Sequence, residues 1–121
     1  MKIDTIFSYS LLLLNIVMLV SGQAFFKLGL DKMGGVTINN AWRALFSPTI
    51  IVGLILYVIA TLIWFVVLSR LPLSIAYPIQ SLAYVLGLLL ASLMFHESVS
   101  LTKWIGAIIV IIGVIVIAFE K

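Results

Sequence analysis

RLPLSIAYPIQSLAYVLGLLLASLMFHE, residues 70–97, carries no charged side chain between Pro72 and Phe95. As an α-helix that run rises about 36 Å at about 1.5 Å per residue, enough to cross a hydrocarbon core of about 30 Å. Within it Tyr77, Gln80, Ser81 and Tyr84 recur at steps of one, three and four, which puts hydrogen-bonding groups on one face of the helix. Lipid cannot satisfy such a face, so it is expected to look inward. Pro78 stands among these residues; it lacks a backbone N–H, frees a carbonyl about a turn earlier and favours a kink beside the polar face. A bent, polar-faced spanning helix suits one wall of a substrate cavity.

The rest of the chain has the same character. Of 121 residues 64% are hydrophobic and 9% charged, and the mean hydropathy is +1.36, which places the chain among membrane proteins. Cysteine is absent, which excludes disulfides and thiolate sites, and one His with four scattered acids does not suggest a metal cluster or a cofactor. The net charge is +3, yet the seven basic residues stand singly between apolar runs, so nucleic acid is not an expected partner. The apolar stretch from Ile6 to Phe26 is too long for the h-region of a cleaved signal, about 7–15 residues, and reads as a retained first helix.

Four spanning helices are therefore expected, over about residues 6–30, 49–69, 72–95 and 101–119, in a single domain covering residues 1–121. The first carries Ser8, Asn15 and Gly22 at heptad spacing, with Gln23 beside Gly22. An amide at mid-membrane needs a partner, so Asn15 is expected to face other helices; packing between helices and lining of a cavity both accommodate Asn15 and Gly22. Gly34 and Gly35 signal a turn, and residues 39–47 read as a short interfacial helix with Trp42 and Arg43, or as a flexible loop. The second spanning helix aligns Gly53, Tyr57, Thr61 and Trp64 on a stripe expected to point inward, with an aromatic-belt position as the other reading of Trp64. The Ser69–Pro72 turn is short enough to make the second and third helices an antiparallel hairpin. Ser100 is the expected N-cap of the last helix, whose only small interior residues besides Ala107 are Gly106 and Gly113 on one face, a surface for close packing within the chain or between subunits. With four spans, Lys2, Arg70 and Lys121 fall on one side and Lys27, Lys32, Arg43 and Lys103 on the other, so charge gives orientation little bias.

Three passages, GQAFFK (22–27), WFVVLSRLPLSIAYPIQSLAYVLG (64–87) and FHESVSLTKWIGAIIVIIGVIVIA (95–118), resemble the four-helix, EamA-like members of the drug/metabolite transporter superfamily. The likeness is strongest to the small subunits of the flippase for undecaprenyl-phosphate-linked aminoarabinose. It departs at Ser98, where a proline is usual, and in a longer segment between the first two helices. The resemblance implies an all-α membrane protein of four helices, like the small multidrug resistance exporters, working as a homodimer or as a heterodimer with a similar four-helix subunit in the bacterial inner membrane. It also implies a lipid-linked monosaccharide as substrate. The related exporters keep a glutamate in the first helix for cations and protons, and the matching position here is Leu19.

From the residues themselves the expected substrate-binding set is Asn15, Gln23, Lys27, Tyr57, Trp64, Tyr77, Gln80, Ser81 and Tyr84: neutral groups for sugar hydroxyls and Lys27 for phosphate. Lys27 has another reading, as a snorkelling cation or a bridge to Glu97. Glu97 is expected at the interface beside the last helix, where a carboxylate suits the dipole. Gly106 and Gly113 form the expected dimer face. Besides transport of a polyisoprenyl-phosphate sugar, two readings stand: export of small cations through Glu97, and a structural partner of a membrane glycosyltransferase. No acid, base and nucleophile constellation suggests an enzyme.

Overall fold

A computed structural model of the chain describes residues 2–119. Lys121 and the side chain of Lys2, both counted in the charge comparison, lie outside this description. Among the described residues the regular structure is all helical: α1 (Lys2–Met33), a short 3-10 helix (Ala41–Phe46), α2 (Pro48–Arg70), α3 (Leu73–Gln80), α4 (Leu82–Leu93) and α5 (Leu101–Ala118). Four stretches are long and apolar enough to span a membrane, α3 and α4 together making the third. This is a multi-pass membrane protein.

The first helix extends beyond the expected residues 6–30 at both ends, and it stops where Gly34 and Gly35 take φ of 79° and 88°. These left-handed conformations let the Gly35 N–H reach back to the Leu30 carbonyl at 2.8 Å, closing the helix end. In the 3-10 helix the Trp42 and Phe46 rings meet edge to face at 6.0 Å, and no residue is buried. Pro48 then opens α2 at a position where its missing N–H costs nothing.

α1 and α2 form the frame of the molecule. Ser8, Asn15, Gly22 and Gly29 are all buried on α1, and Gly53, Ala60 and Val67 are buried on α2, so two seven-residue stripes of mostly small side chains face each other. A Cβ built on Gly53 would sit 2.9 Å from the Gly22 carbonyl oxygen and 2.8 Å from Phe26 Cδ1. Glycine is what permits this crossing. Below it, Leu12, Ile16, Val67, Ala76, Ile79 and Val114 make a closed apolar core to which α1, α2, α3 and α5 all contribute. The Arg70 guanidinium lies 4.8 Å over the Phe7 ring at the same end.

The third span breaks. Pro78 cannot donate to the carbonyl one turn back, and three residues later the chain tightens: the Ser81 N–H bonds the Pro78 carbonyl at 3.0 Å and the Tyr84 N–H bonds the Ser81 carbonyl at 2.9 Å. The Ser81 hydroxyl also donates to the Pro78 carbonyl. The break separates α3, which packs on the core, from α4, which leans away from α2. Although a two-residue turn joins α2 to α3, the hairpin splays, and among the described residues α2 and α4 do not pack on each other.

Among the described residues α5 packs on α3 and α4 alone. Ser100 caps it, its hydroxyl accepting from the Lys103 N–H at 3.3 Å. The exposed surface totals 8240 Å², against about 6,500 Å² for a compact soluble chain of this mass. Many large apolar side chains face outward, as a lipid-embedded protein requires.

Candidate functional site

Above the apolar core the splayed helices enclose a cavity of about 950 Å³. Its floor is polar and lies near the middle of the spans. Gln80 donates from Nε2 to Asn15 Oδ1 at 2.8 Å, and Asn15 donates from Nδ2 to the Ala60 carbonyl at 2.7 Å. Asn15 is 1% exposed, so one amide satisfies the other across three elements, at the depth where an unpaired amide would cost several kcal/mol. Among the described residues no buried side-chain nitrogen or oxygen is left unpaired.

The walls rise from this floor. α1 supplies Leu19, Gln23 and Lys27, α2 supplies Tyr57, and the broken third span supplies Tyr77, Gln80, Ser81 and Tyr84. The break at Ser81 lets residues before and after it face the same space. Farther up, Ala83, Gly87 and Ala91 recur every four residues and leave the cavity wide; a Cβ added at Gly87 would meet nothing within 4 Å. This stripe of small residues was not singled out from the sequence, though its spacing from Tyr84 was visible there.

Lys27 and Glu97 stand at the far end. From Asn15 to Lys27 is twelve residues of helix, about 18 Å, which carries the cavity from mid-membrane to the interface. Lys27 pairs with Asp31 one turn along α1, Nζ to Oδ1 at 3.4 Å, with both side chains about half exposed (52% and 56%). The alternative bridge from Lys27 to Glu97 is not formed; the nearer carboxylate on the same helix, Asp31, pairs with Lys27. Glu97 itself is on the cavity lining and not merely beside α5. It gets there through His96, a non-glycine residue at φ 54°, which turns the chain so that the Glu97 N–H bonds the Ala91 carbonyl at 2.9 Å. That doubles the segment back over the end of α4.

Of the expected substrate-binding residues, Gln23, Lys27, Tyr57, Tyr77, Gln80, Ser81 and Tyr84 share this one space. Asn15 lies under it, holding Gln80. Trp64 is the exception: it packs against the apolar core, its ring 6.3 Å from that of Tyr77. The stripe on α2 divides accordingly, with Gly53 in the seam with α1, Tyr57 in the cavity, and Thr61 donating to the Tyr57 carbonyl of its own helix at 2.9 Å. Gly106 and Gly113 take no part in the chain's own packing, since a Cβ at either would meet nothing within 4 Å.

Among the described residues α2 and α4 do not pack on each other, which leaves room for a sideways opening of the cavity between them. Tyr57, Tyr77 and Tyr84 border this gap and are 42%, 62% and 73% exposed. On the opposite side α1 packs against α4 and closes the wall. A molecule with a polar head and an apolar tail could therefore place its head in the cavity while its tail remains in lipid.

Comparison with known proteins supports a transport role. Residues 3–119 match the model of the EamA-like transporter family. The chain is 42% identical over 76 residues, 63% of its length and 67% of the relative's, to a probable 4-amino-4-deoxy-L-arabinose-phosphoundecaprenol flippase subunit ArnE of Aeromonas salmonicida. A probable ArnE subunit of the same flippase from Pseudomonas fluorescens is 36% identical over 106 residues, 86% of this chain and 90% of the relative. A probable ArnF subunit from Proteus mirabilis is 32% identical over 102 residues, covering 76% and 77% of the two chains. No solved structure matches the chain.

Proposed function

The chain belongs to the EamA-like transporter family, and from that premise we propose that it is a subunit of a flippase moving a polyprenyl-phosphate-linked monosaccharide of the aminoarabinose type across the bacterial inner membrane. The observation that carries this reading is the lining of the cavity: neutral hydrogen-bonding walls with a lysine among them, beside helices α2 and α4 that do not pack on each other. Sugar hydroxyls suit Gln23, Gln80 and the tyrosines, which replace the hydrogen bonds that water provided. The polyprenol cannot leave the bilayer, so its headgroup must enter from the side, and the gap between α2 and α4 gives it a path. Phosphate suits Lys27 at the interface, where a charged group can be held without crossing the core. Its half-exposed contact with Asp31 is a weak restraint, of the kind worth about 0.3–0.5 kcal/mol on a helix surface, and exchange for a phosphate is easy.

Proton-coupled export of cations fits less well. A desolvated cation needs an acid within the low-dielectric part of its route, and Leu19 occupies the cavity wall where the resemblance to the exporters places theirs. The one acid on the cavity lining, Glu97, is at the mouth.

The test uses the full chain reconstituted in phospholipid vesicles, with any four-helix partner that co-purifies. Lys27→Ala should lower translocation of the lipid-linked sugar about tenfold, the loss of one charge-assisted hydrogen bond of about 1.5 kcal/mol. A quaternary-ammonium drug under a proton gradient should not accumulate. Drug uptake abolished by Glu97→Gln, with Lys27→Ala silent on the lipid, would replace the flippase with an exporter.

A further inference from the structure

Residues 34–47 join α1 to α2, and they are more than the connection needs, since packed antiparallel helices are commonly joined by about 2–8 residues. Their depth follows from the helices they join. Lys32 Nζ lies 3.5 Å from Thr49 Oγ1, and a Cβ on Gly29 would sit 2.4 Å from Ile50 Cγ1, so the end of α1 is level with the start of α2. From Ile50 to Ser69 α2 carries no charge and rises about 30 Å, the thickness of a hydrocarbon core. The 3-10 helix ends at Phe46, with only Ser47 before α2, and therefore lies at the edge of that core.

Its side chains suit this place. Ile38, Trp42, Leu45 and Phe46 are 97%, 61%, 55% and 74% exposed, and no residue of the 3-10 helix is buried, so the chain's own packing leaves this apolar surface uncovered. Charge then selects what covers it. Arg43 is exposed and makes no ion pair among the described residues, and Lys32 has only an exposed contact with the Thr49 hydroxyl. Asp31 is engaged by Lys27 at 3.4 Å, and no further acid follows in the sequence until Glu97. We infer that residues 34–47 are a membrane-surface anchor for anionic phospholipid, in which Trp42, Leu45 and Phe46 seat at the hydrocarbon edge while Arg43 and Lys32 each hold a lipid phosphate. A fluid bilayer presents phosphates all along its surface, so the two cations need not converge on one group, as a pocket for a single free anion would require. A soluble protein would have to reach between headgroups to cover apolar side chains at this depth. The anchor is independent of what the cavity carries; it sets the depth of the α1–α2 frame in the bilayer.

The experiment reads Trp42 by fluorescence in the full chain reconstituted in vesicles, with Trp64→Phe and Trp104→Phe removing the other two tryptophans. Two sets of vesicles contain phosphatidylglycerol and phosphatidylcholine in equal parts, and in each set one of the two lipids carries bromine high on its acyl chain as a contact quencher. Brominated phosphatidylglycerol should quench Trp42 the more strongly, corresponding to an enrichment of anionic lipid beside it of about fivefold for each cation engaged. Arg43→Gln should lower that enrichment about fivefold, Arg43→Lys should keep most of it, and added salt should weaken it. Equal quenching by the two lipids, or a preference that Arg43→Gln leaves intact, overturns the assignment. Quenching by neither lipid, with free access of acrylamide from water, overturns it as well and leaves the segment as a surface for a soluble protein. Should the double tryptophan replacement fail to fold, the difference between the native chain and Trp42→Phe isolates the Trp42 signal without touching Trp64, and the same lipid comparison decides.

Discussion

Asn15 and Gln80 show how one pair of side chains can be structural and functional at once. Asn15 bonds the backbone of α2 with its amino group and accepts from Gln80 of α3 with its oxygen, so three elements meet at a single amide. The asymmetry of buried hydrogen bonds gives a way to separate the two roles. Gln80→Leu leaves the Asn15 oxygen buried without a donor, and should lower stability by about 1–3 kcal/mol, read as a shift of the thermal unfolding midpoint in detergent. Replacing both residues by leucine removes donor and acceptor together, and should recover most of that loss while still abolishing translocation, because the cavity floor has lost its polar groups. A double variant that is both stable and active would make the pair simple glue between helices.

At the scale of the element, α4 carries two environments on opposite faces. Tyr84, Gly87 and Ala91 border the cavity, whereas Leu89 and Leu93 lie on a shallow apolar groove with Val17 and Val20 of α1. Single cysteines at Tyr84 and Gly87 should therefore react rapidly with a small water-soluble thiol reagent in intact membranes, and one at Leu89 should react slowly. A Cβ at Gly87 meets no neighbour within 4 Å, so slow labelling of Gly87→Cys would mean a dry cavity and not a displaced helix. Much of this element could be read from the residue order. Tyr77, Gln80, Ser81 and Tyr84 recur at helical steps, and Pro78 among them announces the break, because both signals are local to one helix. Asn15 and Gly22 seven residues apart likewise announce a seam. What could not be read is depth. Trp64 follows Tyr57 by a heptad and shares its face, yet it sits about 10 Å farther down α2, beyond the Ala60 level of the floor, where the apolar core takes it. Glu97 is legible as an interface acid, but not its turn onto the cavity lining, which depends on His96 at positive φ, and no glycine or asparagine marks that turn. The Lys27–Asp31 pair, by contrast, is an i, i+4 spacing legible in the residue order.

For the whole molecule the open question is what stands beside α5. This helix packs on α3 and α4 with Ala107, Val110 and Val114, and turns Gly106 and Gly113 toward neither. Ile105, Ile109, Ile112 and Val116 are 48%, 62%, 55% and 66% exposed beside them. Within a membrane this surface needs no cover on hydrophobic grounds, since lipid is as apolar as isoleucine; what a glycine stripe adds is room for another backbone. The cavity argues for such a neighbour independently, because the gap between α2 and α4 has no helix of this chain to complete it. A dimer through the Gly106 and Gly113 face is thus the expected assembly, and with basic residues divided three to four between the two sides, two copies could insert antiparallel. Gly113→Trp should lower the dimer fraction recovered in mild detergent and measured by light scattering, with Leu89→Trp on the outer face of α4 as the control for bulk alone. A Cβ at Gly113 meets nothing within 4 Å inside its own subunit, so the monomer should keep its unfolding midpoint. A dimer that survives Gly113→Trp but fails with Leu89→Trp would move the interface to α4, and the second subunit would then border the lipid-side groove while α5 faces the bilayer.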